Sequence, residues 1–227
     1  MPRVLTGFTL IELAIVLVVI GLLLGGVLKG QELIESARAR NIITQIDSIK
    51  AAYYAFQDKY QAAPGDYPGH LAYANLSGIA NAQVGGNGDG VVQDTPQARE
   101  SLLAWVHLSH ANLIAGSYQA TGSLPDPAGE WPRNPYNATL QLHHDAEFAG
   151  SGGMARLNLK TGNQIPARML AEIDRKVDDG RADGGNFRFS AYNGGGGAPV
   201  AARCYDSRTG LWRAAENEGN CGAASLF

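Results

Sequence analysis

The N-terminal part of the chain contains an apolar run that limits where the protein can reside. Residues 8–28 include one charged side chain, Glu12, and no proline. A helix of this length spans about 30 Å, the thickness of the hydrocarbon core of a bilayer, and its faces are apolar on all sides. A secretory signal has a shorter apolar run of roughly 7–15 residues before its cleavage site. The run therefore predicts a membrane-spanning helix.

Glu12 places a carboxylate inside this apolar run. A charged residue at the centre of a membrane helix costs about 2.5–3.5 kcal/mol on insertion scales, and less near the end of the span. One interpretation is that Glu12 reaches the interface and has no further role. The other interpretation is that a positively charged partner joins it after insertion.

The residues around Glu12 form a recognisable motif. The segment Gly7-Phe8-Thr9-Leu10-Ile11-Glu12 joins a small residue, an aromatic residue, a carboxylate and an apolar helix. It resembles the cleavage and methylation motif of type IV prepilins and of type II secretion pseudopilins. The resemblance covers residues 1–35. It implies that residues 1–7 are a leader, that a prepilin peptidase cuts between Gly7 and Phe8, and that Phe8 becomes N-methylated.

The sequence becomes amphipathic after Lys29. Apolar residues recur at alternating intervals of three and four, which is the spacing of one helix face. These residues are Ala39, Ile42, Ile46, Ile49, Tyr53, Phe56 and Tyr60. We expect one helix, with residues 8–28 in the membrane or filament core and residues 29–62 packed on the head of the same chain. A coiled coil is the alternative for the second part.

Residues 63–227 are expected to form the globular head. A turn at residues 63–68 ends the long helix, and Thr95 is expected to cap a helix over residues 97–114. A second helix is predicted over residues 166–178. Short segments separated by glycine and asparagine turns predict an antiparallel sheet. The predicted strands are residues 139–143, 155–159, 187–192, 200–205 and 211–214. The predicted fold class is α+β, with a long N-terminal helix packed on a C-terminal antiparallel sheet, as in the pilin-like fold.

The chain has two cysteines, Cys204 and Cys221. If the head is exported, an intramolecular disulfide is expected, because exported domains are oxidised. Closing this loop would contribute about 3 kcal/mol in the chain-entropy model. Pilin-like proteins often hold their C-terminal loop in this way. Two reduced thiols are the alternative.

A glycine-rich segment, residues 86–90, offers Asn87 and Asp89 as oxygen ligands for calcium. The spacing of a full EF-hand loop is absent, because its first position would be Gly85 and its twelfth Pro96. A turn without a ligand is therefore favoured. Calcium at Asn87 and Asp89 is kept as an alternative, since pseudopilins are known to bind calcium in loops of the head.

The remaining sequence offers no catalytic motif. It lacks a Ser-His-Asp or Cys-His signature, an HExxH motif and a phosphate-binding loop, so an enzyme is not expected. His107 and His110 lack a third ligand at a zinc spacing and are expected to be solvated. The formal net charge of -3 argues against binding of nucleic acid, which needs a concentrated basic surface.

The resemblance implies a structural role in a pilus or a secretion pseudopilus. The head would lie outside the cytoplasm, and the subunit would be anchored by one span in the inner membrane before assembly. The implied partners are other pilin or pseudopilin subunits, the prepilin peptidase, and an assembly platform with its ATPase. The alternative is a single-pass anchored domain, able to bind calcium, that does not polymerise. The sequence does not separate major pilin, minor pilin and pseudopilin.

Overall fold

The computed structural model describes residues 10–79, 84–96, 98–119, 131–216 and 218–227. The chain divides into two compact units, Met1–Arg38 and Ala39–Phe227. Helix α1, Leu10–Tyr60, contributes residues to both units.

The described part of the first unit is the N-terminal portion of α1. Its apolar window has a mean hydropathy of 2.8 and contains no buried residue. The portion is long and apolar enough to cross a membrane. Gly21, Gly25, Gly26 and Gly30 lie within this helical stretch, and no atom lies within 4 Å of a Cβ built on any of them.

The second unit has the remainder of α1 in its core. The buried positions of this portion are Ala39, Ile42, Ile46, Ile49, Ala52, Tyr53 and Phe56. Lys50 Nζ donates a hydrogen bond of 2.7 Å to the carbonyl oxygen of Leu226, and the Tyr53 ring meets Phe227 edge-on at 5.2 Å. The predicted amphipathic stripe is therefore confirmed, with Tyr60 half-buried at its end.

The sheet has four antiparallel strands in the order β1-β2-β4-β3. The strands are β1 (Gln141–Asp145), β2 (Arg156–Lys160), β3 (Phe187–Phe189) and β4 (Ala223–Leu226). Strand β4 lies between β2 and β3, which pairs the end of the chain with both. The α+β architecture with a long N-terminal helix and a C-terminal antiparallel sheet is confirmed.

Four shorter helices complete the described part of the head. They are α2 (Gly69–Asn75), α3 (Glu100–His110), α4 (Ala167–Val177) and α5 (Ala201–Cys204). Helix α4 agrees with its prediction over residues 166–178. Helix α3 begins later than predicted, because Thr95 accepts the Ala98 N–H in a separate turn. Asp94 instead accepts the backbone N–H of Ser101 in the first turn of α3, at 3.0 Å.

Two of the predicted strands are wrong, and one strand was not predicted. Residues 201–204 form α5, and Leu211 and Trp212 make only isolated bridges. Strand β4 was missed because all four of its residues, two of them alanine, are buried. A strand buried on both faces lacks the alternation by which strands are predicted. Its position depends on pairing with strands distant in sequence.

Replacement of Phe56 tests the role of α1 in the core of the head. Its ring lies 4.5 Å from Tyr60 and 5.7 Å from Tyr67, and its side chain is fully buried. Phe56→Ala should lower the free energy of unfolding by about 3–5 kcal/mol, because it removes a buried ring and leaves a cavity. Urea titration of detergent-solubilised protein measures this change. Gln57→Ala, an exposed neighbour, should have little effect; equal losses in both variants would contradict this packing.

Candidate functional site

The N-terminal portion of α1 exposes an apolar surface that contains one carboxylate near its start. Leu10, Leu17 and Leu22 are 88 %, 70 % and 73 % exposed. Glu12 lies in the first turn of α1 and is also exposed. An apolar surface of this extent needs lipid or protein to cover it. Gly7 and Phe8 lie outside the described residues, so the predicted cleavage between them stays a prediction.

The loop that contains Asn87 and Asp89 is fastened by a buried carboxylate. Asp66 Oδ1 accepts the backbone N–H groups of Gly88 and Asp89 at 2.7 and 3.0 Å, and its Oδ2 accepts that of Gly90 at 2.8 Å. Burial raises the pKa of Asp66, although the three amide hydrogen bonds oppose this shift. The carboxylate thus satisfies loop amides that no regular secondary structure would pair.

Glu100, at the start of α3, supports the same loop from the other side. Its Oε1 accepts the Asn87 N–H and its Oε2 accepts the Gln93 N–H, both at 3.0 Å. The side chain is fully buried, and burial raises its pKa. Nearby, Gly65 has a φ of +98°, and a Cβ there would lie 2.4 Å from the Glu100 carbonyl oxygen. Glycine is therefore required where the turn after α1 meets α3.

Three carboxylates converge at this loop. Asp66, Asp89 and Glu100 each bring an oxygen within 4.8 Å of the others. Carboxylate oxygens are ligands that calcium prefers, so the donor set suits this ion. Asn87 is engaged differently: its Oδ1 accepts the Asp89 N–H and its Nδ2 donates to Asp89 Oδ2, both at 2.9 Å. Calcium binding stays a prediction, and the structure adds Asp66 and Glu100 to the residues that would hold it.

Sequence reasoning missed Asp66 and Glu100 as parts of this loop. Asp66 was assigned only to the turn that ends α1, and Glu100 only to a helix. They lie 23 and 11 residues from Asp89 in the sequence. Only the packing of α3 against the turn after α1 brings the three carboxylates together.

His107 is buried in the core of the head, so the expectation that it is solvated is wrong. Its Nδ1 accepts the Gly65 N–H at 3.0 Å, and its ring stacks on Phe56 at 6.1 Å. Burial lowers its pKa to about 4, which keeps the imidazole neutral at pH 7. His110 is half-buried, and its Nδ1 lies 2.7 Å from the carbonyl oxygen of Ser77.

A second polar cluster lies on the sheet. Lys160 is buried and bonds to Asp145, and its Nζ lies 3.2 Å from Glu147 Oε2. His143 Nε2 accepts the Asp94 N–H, so its Nδ1 carries the proton that it donates to Asp145 at 2.8 Å. Burial opposes ionisation of Asp145, but the bonds from His143 and Lys160 prevail and hold its pKa well below the usual range. Lys160 and Asp145 therefore form a structural ion pair, which His143 and Glu147 extend.

A cavity of about 930 Å³ lies between α1, the segment after α3 and the segment before β1. Trp105, Trp131 and Tyr118 contribute aromatic surface to it, and Arg133 is the charged residue among its described lining. The described lining contains no carboxylate and no histidine.

The predicted disulfide between Cys204 and Cys221 is present, and both residues are fully buried. Cys221 exchanges two backbone hydrogen bonds with Ile165, at 3.0 and 3.1 Å, and the Cys204 carbonyl accepts the Arg213 N–H. The disulfide therefore closes residues 204–221 into a loop, and both ends of this loop lie in the core of the head.

Comparisons of the chain with protein-family models, with curated proteins and with solved structures found no match. The proposed function therefore rests on the N-terminal motif and on the geometry of the described residues.

Calcium binding to the three carboxylates would change the thermal stability of the head. A ligand that binds only the folded state raises the melting temperature by mass action. If Asp66, Asp89 and Glu100 hold calcium, millimolar calcium should raise the melting temperature of the parent protein and have less effect on Asp89→Asn. Magnesium at the same concentration and Asp206→Asn, which removes a half-buried acid elsewhere, are the controls. No calcium shift, or an equal shift in Asp89→Asn, would contradict the prediction.

Proposed function

We propose that this chain is a prepilin-type subunit of a type IV pilus-like filament or of a type II secretion pseudopilus. Its leader is cut between Gly7 and Phe8, and Phe8 is N-methylated. The head lies outside the cytoplasm, and the subunit assembles through the N-terminal portion of α1. The observation that carries the proposal is an exposed apolar helix that has a carboxylate, Glu12, five residues after the predicted cut.

The exposed N-terminal portion of α1 suits the two environments that the subunit would occupy in turn, the membrane and the filament. None of its apolar window is buried among the described residues. Lipid satisfies such a surface before assembly, and the same portion of other subunits satisfies it within a filament. A helix that serves only as the core of a soluble head would instead be covered by its own chain.

Glu12 supports a specific register between subunits. Cleavage after Gly7 would create an ammonium group on Phe8. In a stack of subunits, Glu12 of one copy faces the Phe8 ammonium of its neighbour. A charge pair in a medium of low dielectric constant is strong and depends on distance, and each charge offsets the burial cost of the other. Apolar contacts alone would allow neighbouring helices to slide.

The disulfide in the head supports the proposal that the head is exported from the cytoplasm. It contains a disulfide with no free cysteine in the chain, and such bonds persist outside the reducing cytoplasm. The head also belongs to a compact unit, Ala39–Phe227, that begins beyond the apolar run. The proposed partners are other pilin-like subunits, the prepilin peptidase, and the assembly platform with its ATPase.

A single-pass anchored domain that binds calcium and does not polymerise is the second candidate function. The convergence of Asp66, Asp89 and Glu100 favours it, because a head with a cation site has a use without a filament. The two functions differ in what Glu12 does. A simple anchor gains nothing from a carboxylate in its span, whereas the filament requires it for register.

Processing is tested at the N-terminus of the mature chain. In cells that contain a prepilin peptidase, mass spectrometry should find a chain that begins at N-methylated Phe8. Gly7→Leu should block the cut, because a bulky residue replaces the small one before the scissile bond, and Thr6→Ala is its control. A mature chain that retains Met1 would contradict the motif assignment.

Assembly is tested by Glu12→Ala. The variant should insert into the membrane and be cleaved as the parent is, because it removes a charge from an apolar span. Its filament yield should fall tenfold or more, since leaving the Phe8 ammonium without its partner costs about 3–5 kcal/mol and about 1.4 kcal/mol already corresponds to tenfold. Sheared filaments are quantified against membrane abundance.

Glu32→Ala is the matched control for Glu12→Ala. Glu32 is exposed on the same helix, where it pairs with Lys29 at 2.7 Å, and it lies beyond the apolar run. Its replacement should leave filament yield unchanged. Normal filaments from Glu12→Ala would refute the charge-pair mechanism. If the parent makes no filaments with a complete assembly machine, the anchored domain replaces the filament subunit.

A further inference from the structure

Asp174 links helix α4 to the loop that the disulfide closes. Its side chain is 0 % exposed. Its Oδ2 accepts the indole N–H of Trp212 at 2.6 Å, and its Oδ1 accepts the backbone N–H of Gly180 at 3.1 Å. Trp212 belongs to residues 204–221, whose ends are joined by Cys204 and Cys221. One buried carboxylate therefore fastens the middle of that loop to α4.

The surroundings of Asp174 are unfavourable for a negative charge. Asp178 and Asp179 follow directly after α4 and place carboxylate oxygens within 4.8 Å of that of Asp174. All three lie at the C-terminal end of α4, where the helix dipole is also negative. These groups repel one another, and each also accepts hydrogen bonds that fix its position.

Several charged side chains surround this cluster. Arg175 on α4 packs at Gly180, and Lys50 of α1 interacts electrostatically with Asp178. Arg181 pairs with Asp183 at 3.1 Å, next to Gly210 of the closed loop. Trp212 itself brings an indole and no charge. Burial raises the pKa of Asp174 to about 6, against the opposing bonds from Trp212 and Gly180, and the charges of Asp179 and Asp178 add to the rise.

We propose that Asp174 and Trp212 form a pH-sensitive latch that holds the disulfide-closed loop to α4 in acid and loosens as the pH rises. In the closed state Asp174 is buried and prefers to be protonated. When the loop opens, Asp174 meets water and titrates at its ordinary value. The closed state therefore binds a proton more tightly than the open state, so closure is most favourable at low pH.

The size of the effect follows from the two pKa values. The ordinary value is 3.8 and the raised value is about 6. Each unit of difference corresponds to a factor of ten at most, and with both titrations included the equilibrium for opening should rise about 50-fold between pH 4 and pH 7. Most of the change falls below pH 6, and opening should level off above it. The disulfide keeps the two ends of residues 204–221 joined during opening, and the Ala182 N–H releases the Gly210 carbonyl oxygen.

The latch is tested by hydrogen exchange of tryptophan indoles, measured by NMR on the full chain in detergent micelles. After correction for the exchange rate of free tryptophan, protection of the Trp212 indole should fall about 50-fold from pH 4 to pH 7. Trp105, buried in α3, serves as the internal control and should not follow this curve. Equal protection of Trp212 at all pH values would overturn the proposal.

Asp174→Asn removes the charge and keeps one oxygen, which accepts the Trp212 N–H while the bond from the Gly180 N–H is lost. Its Trp212 protection should not vary with pH, whereas Glu172→Gln, which removes an acid of the same helix that pairs with Lys176, should behave as the parent does. The same pH dependence in Asp174→Asn as in the parent would overturn the proposal. If Asp174→Asn does not fold, titration of the Asp174 carboxyl carbon in the parent decides. A midpoint near the ordinary value would equally overturn the latch.

Discussion

The core of the head depends on the apolar stripe that α1 presents to it. Ile42, Ile46, Ile49 and Phe56 are buried on one face of the helix, and they belong to the same core as Leu142 and Leu159 of the sheet. The sheet has four short strands, and strands so few and short need a packed partner to be stable. The helix supplies that partner. The apolar window in the N-terminal portion of the same helix contains no buried residue. One helix therefore supplies both the core of the head and the exposed apolar segment.

The second constraint is that the head buries several polar groups and must satisfy them. Asp66 and Glu100 accept five loop amides, and Lys160 is neutralised by Asp145. Buried groups of this kind contribute little net stability, but removing one partner leaves the other desolvated, which is costly. They therefore fix the paths of irregular segments in a head that contains many glycines. The loop at Asn87 and Asp89 has its conformation because two carboxylates far apart in sequence hold it.

These constraints bear differently on the two proposed functions. The filament function rests on the helix portion that includes Glu12, where an exposed apolar surface needs lipid or protein to cover it. The anchored-domain function rests on the head, where Asp66, Asp89 and Glu100 meet. The latch at Asp174 is independent of both, because it belongs to the junction between α4 and the disulfide-closed loop.

The sequence by itself determined the features that depend on local patterns. The apolar run, the stripe from Ala39 to Phe56, helix α4 and the positions of β1 and β2 to within two residues follow from periodicity and turn residues. The pairing of Cys204 with Cys221 follows from there being two cysteines.

Tertiary structure decided the features whose cause is distant in sequence. Strand β4 is a strand because β2 and β3 flank it, although its alanine-rich sequence has no alternation. His107 is buried because α3 is enclosed on nearly all sides, which the local sequence of that helix does not reveal. Asp174 acquires its raised pKa only where Trp212 and the end of α4 exclude water. Burial is a property of the whole packing, and local sequence does not encode it.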